Sequence, residues 1–298
     1  MNAALALQDI TCTFVGGDDR ARYTAVNDVT LAVAPGEFVS VVGPTGCGKS
    51  TLLNVAAGLL IPSAGSVHVF GEPLDGINRR AGYMFQTEAL MPWRTARENV
   101  LVGLQFRGVP ETDAGALADD WLKRVGLAGF GDRYPHQLSG GMRKRTSLAQ
   151  TLVLDPDIIL MDEPFSALDI QTRQLMENEL LDLWAGHGGE RRATPSEAPA
   201  PAGDGRAATL GDTAGSARKA VLFITHDLDE AIALSDRVVV LSAGPASHPI
   251  GEFMIDLPRP RDVAEVRVAP RFIELHQGIW DVLREEVLKG YAQQKRAA

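Results

Sequence analysis

Gly43-Pro-Thr-Gly-Cys-Gly-Lys-Ser-Thr51 matches the pattern G-x-x-x-x-G-K-[ST] and directly follows the apolar run Phe38 to Val42. Glycines in such a loop let backbone N–H groups close on phosphate oxygens. A helix opening at the loop's end adds its positive pole. The pattern assigns Lys49 to the β- and γ-phosphates and the Ser50 hydroxyl to Mg²⁺. Gly43, Pro44, Thr45, Gly46, Cys47, Gly48 and Thr51 complete the cradle, with Cys47 read as a small filler. Taken alone, the loop says only that a nucleotide is bound.

Two further clusters carry chemistry. Ile158-Ile-Leu-Met161 runs into Asp162-Glu163. A strand that delivers an acid at its carboxyl end suits water-mediated ligation of Mg²⁺, assigned to Asp162. Glu163 then stands where a carboxylate can orient or deprotonate an attacking water. The alternative is a surface acidic pair after a strand, which the phosphate loop upstream makes far less favoured. Leu138-Ser-Gly-Gly-Met142 puts adjacent glycines at a predicted helix start, which weakens the helix but exposes backbone N–H groups to an anion. A lone S-G-G would be a flexible turn.

These residues need a scaffold. Val29, Leu31 and Val33 alternate with smaller or polar residues, which predicts a half-buried antiparallel strand. The continuous runs Phe38 to Val42, Ile158 to Met161, Val221 to Ile224 and Val238 to Leu241 predict strands buried on both faces. A helix is expected from about Lys49 to near Gly58. The class is α/β with a largely parallel central sheet. Between about Thr87 and Leu154 the pattern turns helical: Asp113 is expected to cap a helix through Leu117, Trp121, Leu122 and Val125, closed by Gly126, and a second runs from about Ser139 to Leu154. Gly186 to Lys219 is rich in Gly, Ala, Pro, Thr and charge, with Leu210 its one large aliphatic residue, and reads as a disordered insertion. From Pro270, the residues Phe272, His276, Ile279, Leu283 and Val287 recur at helical spacing, predicting a helix packed on its own domain.

Composition narrows the function. The 298 residues carry a formal charge of −9, which argues against a broad nucleic-acid surface. Cys12 and Cys47 are too few for a disulfide framework or a zinc cluster. No run approaches the ~18 apolar residues of a membrane-spanning helix, and Met1 to Ile10 does not read as a signal peptide. A cytoplasmic location is expected, with any membrane role reached through a partner.

With the order and separation of the three motifs in view, the chain resembles the ABC ATPases from about Leu5 to Leu257. The resemblance implies a P-loop NTPase core with an antiparallel β subdomain and an inserted helical subdomain (about 87–154) within 1–258, followed by a helical extension over 259–298. It implies ATP and Mg²⁺ as ligands, the metal being held by Ser50, Gln86 and Asp162. It also implies a head-to-tail dimer, here a homodimer, in which Ser139, Gly140 and Gly141 complete the partner's site. Gln86, ending Ala81-Gly-Tyr-Met-Phe-Gln86, matches the glutamine loop; Asp169, in Ser166-Ala-Leu-Asp169, matches the loop through which the two sites communicate; His226, in Thr225-His-Asp227, matches the switch histidine. Glu163, Lys49, Gln86 and His226 form the catalytic set. Phe14, before Gly16-Gly17, aligns with the aromatic that stacks on adenine, and Tyr23 competes for that role. Arg143-Lys-Arg145 departs from the Arg-Gln-Arg of many relatives, which is expected to alter a helix surface, with Lys144 able to shift how that helix docks.

A narrower resemblance covers Met84-Phe-Gln-Thr-Glu-Ala-Leu-Met-Pro-Trp-Arg-Thr95 and Glu98-Asn-Val100, together with Thr225-His-Asp-Leu-Asp-Glu-Ala231. It looks like the importer branch that handles nitrate, sulfonates, taurine or bicarbonate. That implies an integral-membrane permease as partner, an extracytoplasmic solute-binding protein acting indirectly, and a position on the inner face of the membrane. Met91, Pro92 and Trp93 would line the permease cleft or pack internally. The runner-up, a soluble ABC ATPase acting on DNA or ribosomes, would bring a coiled coil or tandem nucleotide domains, and neither is present in the sequence.

Overall fold

The computed structural model describes residues 2–15, 22–166, 168–185 and 218–297. Its strands are β1 (Leu5–Val15), β2 (Arg22–Val33), β3 (Phe38–Val42), β4 (Ala64–Val69), β5 (Glu72–Pro73), β6 (Ala81–Met84), β7 (Ile158–Asp162), β8 (Ala220–Ile224), β9 (Arg237–Leu241) and β10 (Pro249–Met254). The helices are α1 (Lys49–Ala56), α2 (Ala96–Phe106), α3 (Glu111–Arg124), α4 (Gly140–Leu152), α5 (Ile170–Trp184), α6 (Leu228–Leu234), α7 (Val263–Val266) and α8 (Pro270–Ala297). No helix among the described residues is long and apolar enough to cross a membrane.

The central sheet has the order β10-β9-β3-β8-β7-β6. All neighbours from β9 to β6 run parallel, and β10 alone is antiparallel. Every residue of β3, β7 and β8 is buried, as continuous apolar runs require when helices cover both faces. A second, antiparallel sheet, β2-β1-β4-β5, stands beside it. There Val29, Leu31 and Val33 point inward while Thr30 and Ala32 face solvent, the alternation seen in the sequence. One apolar cluster joins the sheet to α2–α6 and α8; a second joins the sheet's other face to α1 and the antiparallel strands.

Helix starts follow from capping chemistry. Thr95 and Glu98 form a reciprocal capping box on α2, and Ser139, Asp169 and Asp227 cap α4, α5 and α6 through side-chain oxygens. Asp113 is not a cap, because α3 begins at Glu111 behind Pro110. It lies in the first turn, where its charge complements the helix N-terminus.

The insertion expected over 186–219 falls outside the described residues up to 217. Arg218 and Lys219 belong instead to the approach to β8. Trp184 Nε1 donates to the Lys219 carbonyl at 2.7 Å, and the Lys219 ammonium meets Asp155 at 2.7 Å. The last helix, α8, packs on its own chain, but its inner stripe is Phe272, Leu275, Ile279 and Leu283. Steps of three and four residues keep that stripe on one face at 3.6 residues per turn, whereas Val287 turns outward and His276 is half-exposed.

Candidate active site

Four adjacent parallel strands end at one edge of the sheet, where ligands of open α/β sheets bind. β3 runs into the glycine-rich loop, β8 into Thr225-His226, β7 into Asp162-Glu163, and β6 towards Gln86. Cross-strand pairing of Val41 with Ile224, Asp162 with Ile224 and Met84 with Met161 sets these ends level.

The loop after β3 is shaped by close backbone approach. Gly48 has φ +92°, and a Cβ there would lie 2.6 Å from Val26 Cγ1. At Gly43 a Cβ would meet Cys47 Sγ at 2.9 Å, so a buried Cys47 fills the space that glycine leaves. Thr45 and Gly46 form the exposed tip, and α1 opens at Lys49 with its N-terminus directed into the loop. The Lys49 ammonium is buried and donates to the carbonyls of Gly43 (2.9 Å) and Pro44 (3.1 Å), spanning the loop. Gly290 of α8 packs against Pro44, so the C-terminal helix backs the same loop.

The Ser50 hydroxyl donates to Asp162 Oδ1 at 3.1 Å, joining the loop to the end of β7. Burial raises the Asp162 carboxyl above the ordinary range and the Glu163 charge adds to this, while the Ser50 hydrogen bond and Lys49 oppose it. Glu163 adopts φ +43°, with its backbone N–H donating to the Ile224 carbonyl at 2.9 Å. This left-handed turn is unusual for a non-glycine residue, and it places Oε2 between two nitrogens. Gln86 Nε2 donates to it at 3.2 Å, and His226 Nδ1 lies 3.2 Å away. Gln86, Glu163 and His226 thus meet around one oxygen, and the side chain of Gln86 is directed to Glu163.

The remaining residues form a second group. Ser139 Oγ accepts from Met142 N at 3.3 Å, capping α4, and Gly140 and Gly141 open that helix. Gly141 packs beside Leu168 and Thr172, so the S-G-G segment leans on the Asp169 loop. Asp169 Oδ1 accepts from Thr172 N at 3.0 Å, a bond that holds its carboxyl below the ordinary range. Arg173 then donates to the Leu168 carbonyl (3.4 Å) and to Asp227 Oδ2 (2.9 Å), while Asp227 Oδ1 caps α6. Thr225 donates to a buried Glu230 at 2.6 Å. The Asp169 loop is therefore tied to the residue after His226.

Two side chains have roles that sequence reasoning missed. Arg173 was one, since its partner lies 54 residues away. Asn99 was another: it is fully buried, accepts from Met91 N (2.7 Å) and donates to the carbonyls of Met91, Arg94 and Thr95. That clamp holds Trp93 outward at 73% exposure, so internal packing is excluded for Trp93. Lys144, expected to alter a helix surface and able to shift how that helix docks, turns inward. It is 1% exposed, and its ammonium donates to the Gln86 carbonyl at 2.5 Å.

Phe14 and Tyr23 face each other across β1 and β2, both partly exposed. The Tyr23 hydroxyl donates to the Gly46 carbonyl at 3.5 Å, which puts Tyr23 beside the glycine-rich loop. Gly16 and Gly17 lie outside the described residues.

Known proteins are similar to this chain in sequence and fold. The ABC transporter family matches residues 26–166. An uncharacterized ABC transporter ATP-binding protein of Methanocaldococcus jannaschii is 41% identical over 290 residues, covering 97% of this chain and 94% of that one. A bicarbonate transport ATP-binding protein of Synechocystis sp. is 38% identical over 267 residues, 89% of this chain and 84% of the relative. Among solved structures, a dimeric ATP-binding cassette in a post-hydrolysis state bound to ADP and Pi superposes with a TM-score of 0.67 at 28% identity, covering 85% of this chain and all of that one. With the glycine-rich loop, the acidic strand end and the S-G-G helix in one fold, this chain belongs to the ATP-binding proteins of ABC transporters.

Proposed function

We propose that this chain binds and hydrolyses ATP as the motor subunit of an importer, paired with a second copy of itself and seated on a separate membrane permease. The observation that carries this reading is the meeting of Lys49, Ser50 and Asp162 with Gln86, Glu163 and His226 at the ends of four adjacent strands. In the proposed reaction Lys49 exchanges loop carbonyls for β- and γ-phosphate oxygens. A water oxygen attacks the γ-phosphorus while Glu163 takes its proton, and the bond to the β–γ bridging oxygen breaks, releasing ADP. Gln86 and His226 hold the Glu163 carboxylate in place for that transfer. Tyr23, beside Gly46, supports adenine in preference to Phe14.

The donor set fits Mg²⁺. The Ser50 hydroxyl and Asp162 carboxylate are hard oxygen ligands, few in number, as suits an ion that keeps several waters and takes phosphate oxygens. Bound there, with Gln86 at hand, the ion would neutralise charge on the β- and γ-phosphates. Ser139, Gly140 and Gly141, standing apart with Asp169, would complete the site of the second copy.

Residues 1–258 are read as the ATPase domain, with 87–154 as its helical subdomain, and 259–298 as a C-terminal extension. The Asn99-clamped loop presents Trp93 as a permease contact, which would hold the subunit on the inner face of the membrane. A small solute of the nitrate, sulfonate, taurine or bicarbonate type is proposed, delivered by an extracytoplasmic binding protein that this subunit does not touch. Purification of the tagged chain from detergent-solubilised native membranes tests this. Recovery of a multi-span permease supports the reading, and recovery of only DNA- or ribosome-associated partners overturns it.

A further inference from the structure

Arg143, Lys144 and Arg145 are consecutive on α4, yet they have three different fates. Arg143 donates to the Leu138 carbonyl at 2.9 Å, and Arg145 reaches the Val125 carbonyl at 3.2 Å. Arg145 thereby braces its own helical region, while Arg143 also lies 3.9 Å from Glu88, two residues beyond Gln86. Lys144 alone turns into the sheet edge, where it is almost wholly buried and donates to the backbone carbonyl of Gln86 at 2.5 Å. A buried ammonium is costly unless fixed by good partners. Here Glu88 and Asp162 supply a favourable field, and burial still outweighs it, so the amine is held below its ordinary pKa. A glutamine or methionine at this position would avoid that cost.

The geometry at both ends of this contact bears on function. At one end, the Gln86 side chain holds Glu163. At the other, Lys144 sits one helical turn from Gly140, about 6 Å along a rigid axis. A shift of the Gln86 backbone therefore moves the S-G-G end of α4, and the reverse also holds. We propose that Lys144 is a positioning residue that couples the glutamine loop of one nucleotide site to the S-G-G helix completing the other. This rests on the two-site dimer proposed above.

The test uses the full chain, with ATP as ligand. Lys144→Met keeps an unbranched side chain, one atom shorter, and removes the donor; Lys144→Gln has the same length as methionine and retains an N–H donor for the Gln86 carbonyl. Thermal melts establish that each variant folds. Coupling energies of this kind correspond to about a tenfold effect. The expected result for Lys144→Met is an unchanged dissociation constant for ATP, kcat lower by about tenfold, and a Hill coefficient falling from about 2 towards about 1. Lys144→Gln is expected to recover most of both quantities. Wild-type kcat and cooperativity in Lys144→Met would overturn the proposal. So would equal losses in both variants without a change in cooperativity, which would mark a merely structural lysine. If Lys144→Met does not fold, Lys144→Gln still decides: retained cooperativity supports the coupling, and its loss in a folded, ATP-binding variant overturns it. Absence of ATP-dependent dimers and of cooperativity in the wild type would instead remove the two-site reading, and the coupling with it.

Discussion

Substitution of Glu163 by glutamine separates catalysis from binding. Glu163 Oε2 receives Gln86 Nε2 and faces His226 Nδ1, each at 3.2 Å, and its backbone N–H is held by the Ile224 carbonyl. A glutamine side chain is nearly isosteric and keeps one oxygen for those neighbours, so the constellation survives and stability changes by about 0.5 kcal/mol or less. What disappears is a group able to take a proton from water. General-base catalysis contributes about 10²–10⁴-fold. The middle of that range, about 10³-fold, corresponds to about 4 kcal/mol of transition-state stabilisation. Phosphate release at saturating ATP should fall by that factor, with the dissociation constant for ATP unchanged. Since the nucleotide is then retained, ATP-bound dimers should accumulate on size exclusion. Turnover within about twofold of wild type would refute the general-base role, because no such transfer is worth so little. Lost ATP binding would refute the claim that Glu163 acts only after binding.

Three further outcomes are expected. Tyr23→Ala should weaken ATP binding by about tenfold, since base–aromatic stacking is worth about 1–3 kcal/mol. Phe14→Ala should do less, and a titration with a fluorescent ATP analogue showing the opposite order would return the adenine platform to Phe14. Burial pushes the Glu177 carboxyl from 4.5 up to about 7 despite Arg267 beside it, and Glu230 behaves alike. The folded state therefore favours their protonated forms: that stabilisation is full below about 4.5 and is lost as pH rises through about 7. Thermal melts across this window should decline less steeply in Glu177→Gln than in wild type, and parallel declines would contradict the assignment. Trp184 is buried edge-on to Phe38 at 5.8 Å, beneath Arg259 at 4.3 Å. Trp184→Ala should cost about 3–5 kcal/mol in urea unfolding, and a loss under about 1 kcal/mol would show that this part of the core repacks freely.

Much of the scaffold was legible because its signals are local. The runs at β3, β7, β8 and β9 announce strands buried on both faces, and Ser139 announces the start of α4 through a cap its side chain can make alone. Where the reading slipped, the deciding contact was not local. Asp113 has a capping side chain, but Pro110 two positions before Thr112 starts the helix earlier. Val287 keeps helical spacing but is exposed, and Glu286 takes the inner position, accepting from Ala243 N at 2.7 Å.

By itself the sequence determined the loop, the acidic strand end and the S-G-G helix, because each is a short stretch whose backbone needs are written in its own residues. Only the tertiary structure decided how these pieces act on one another. Gln86 and Glu163 are 77 residues apart, Arg173 and Asp227 54, and Lys144 and Gln86 58. A lysine four residues into a helix looks the same in sequence whether it faces water or a buried carbonyl. Which of these it meets is set by the packing of α4 against the sheet, a sum over many distant side chains that no local pattern contains.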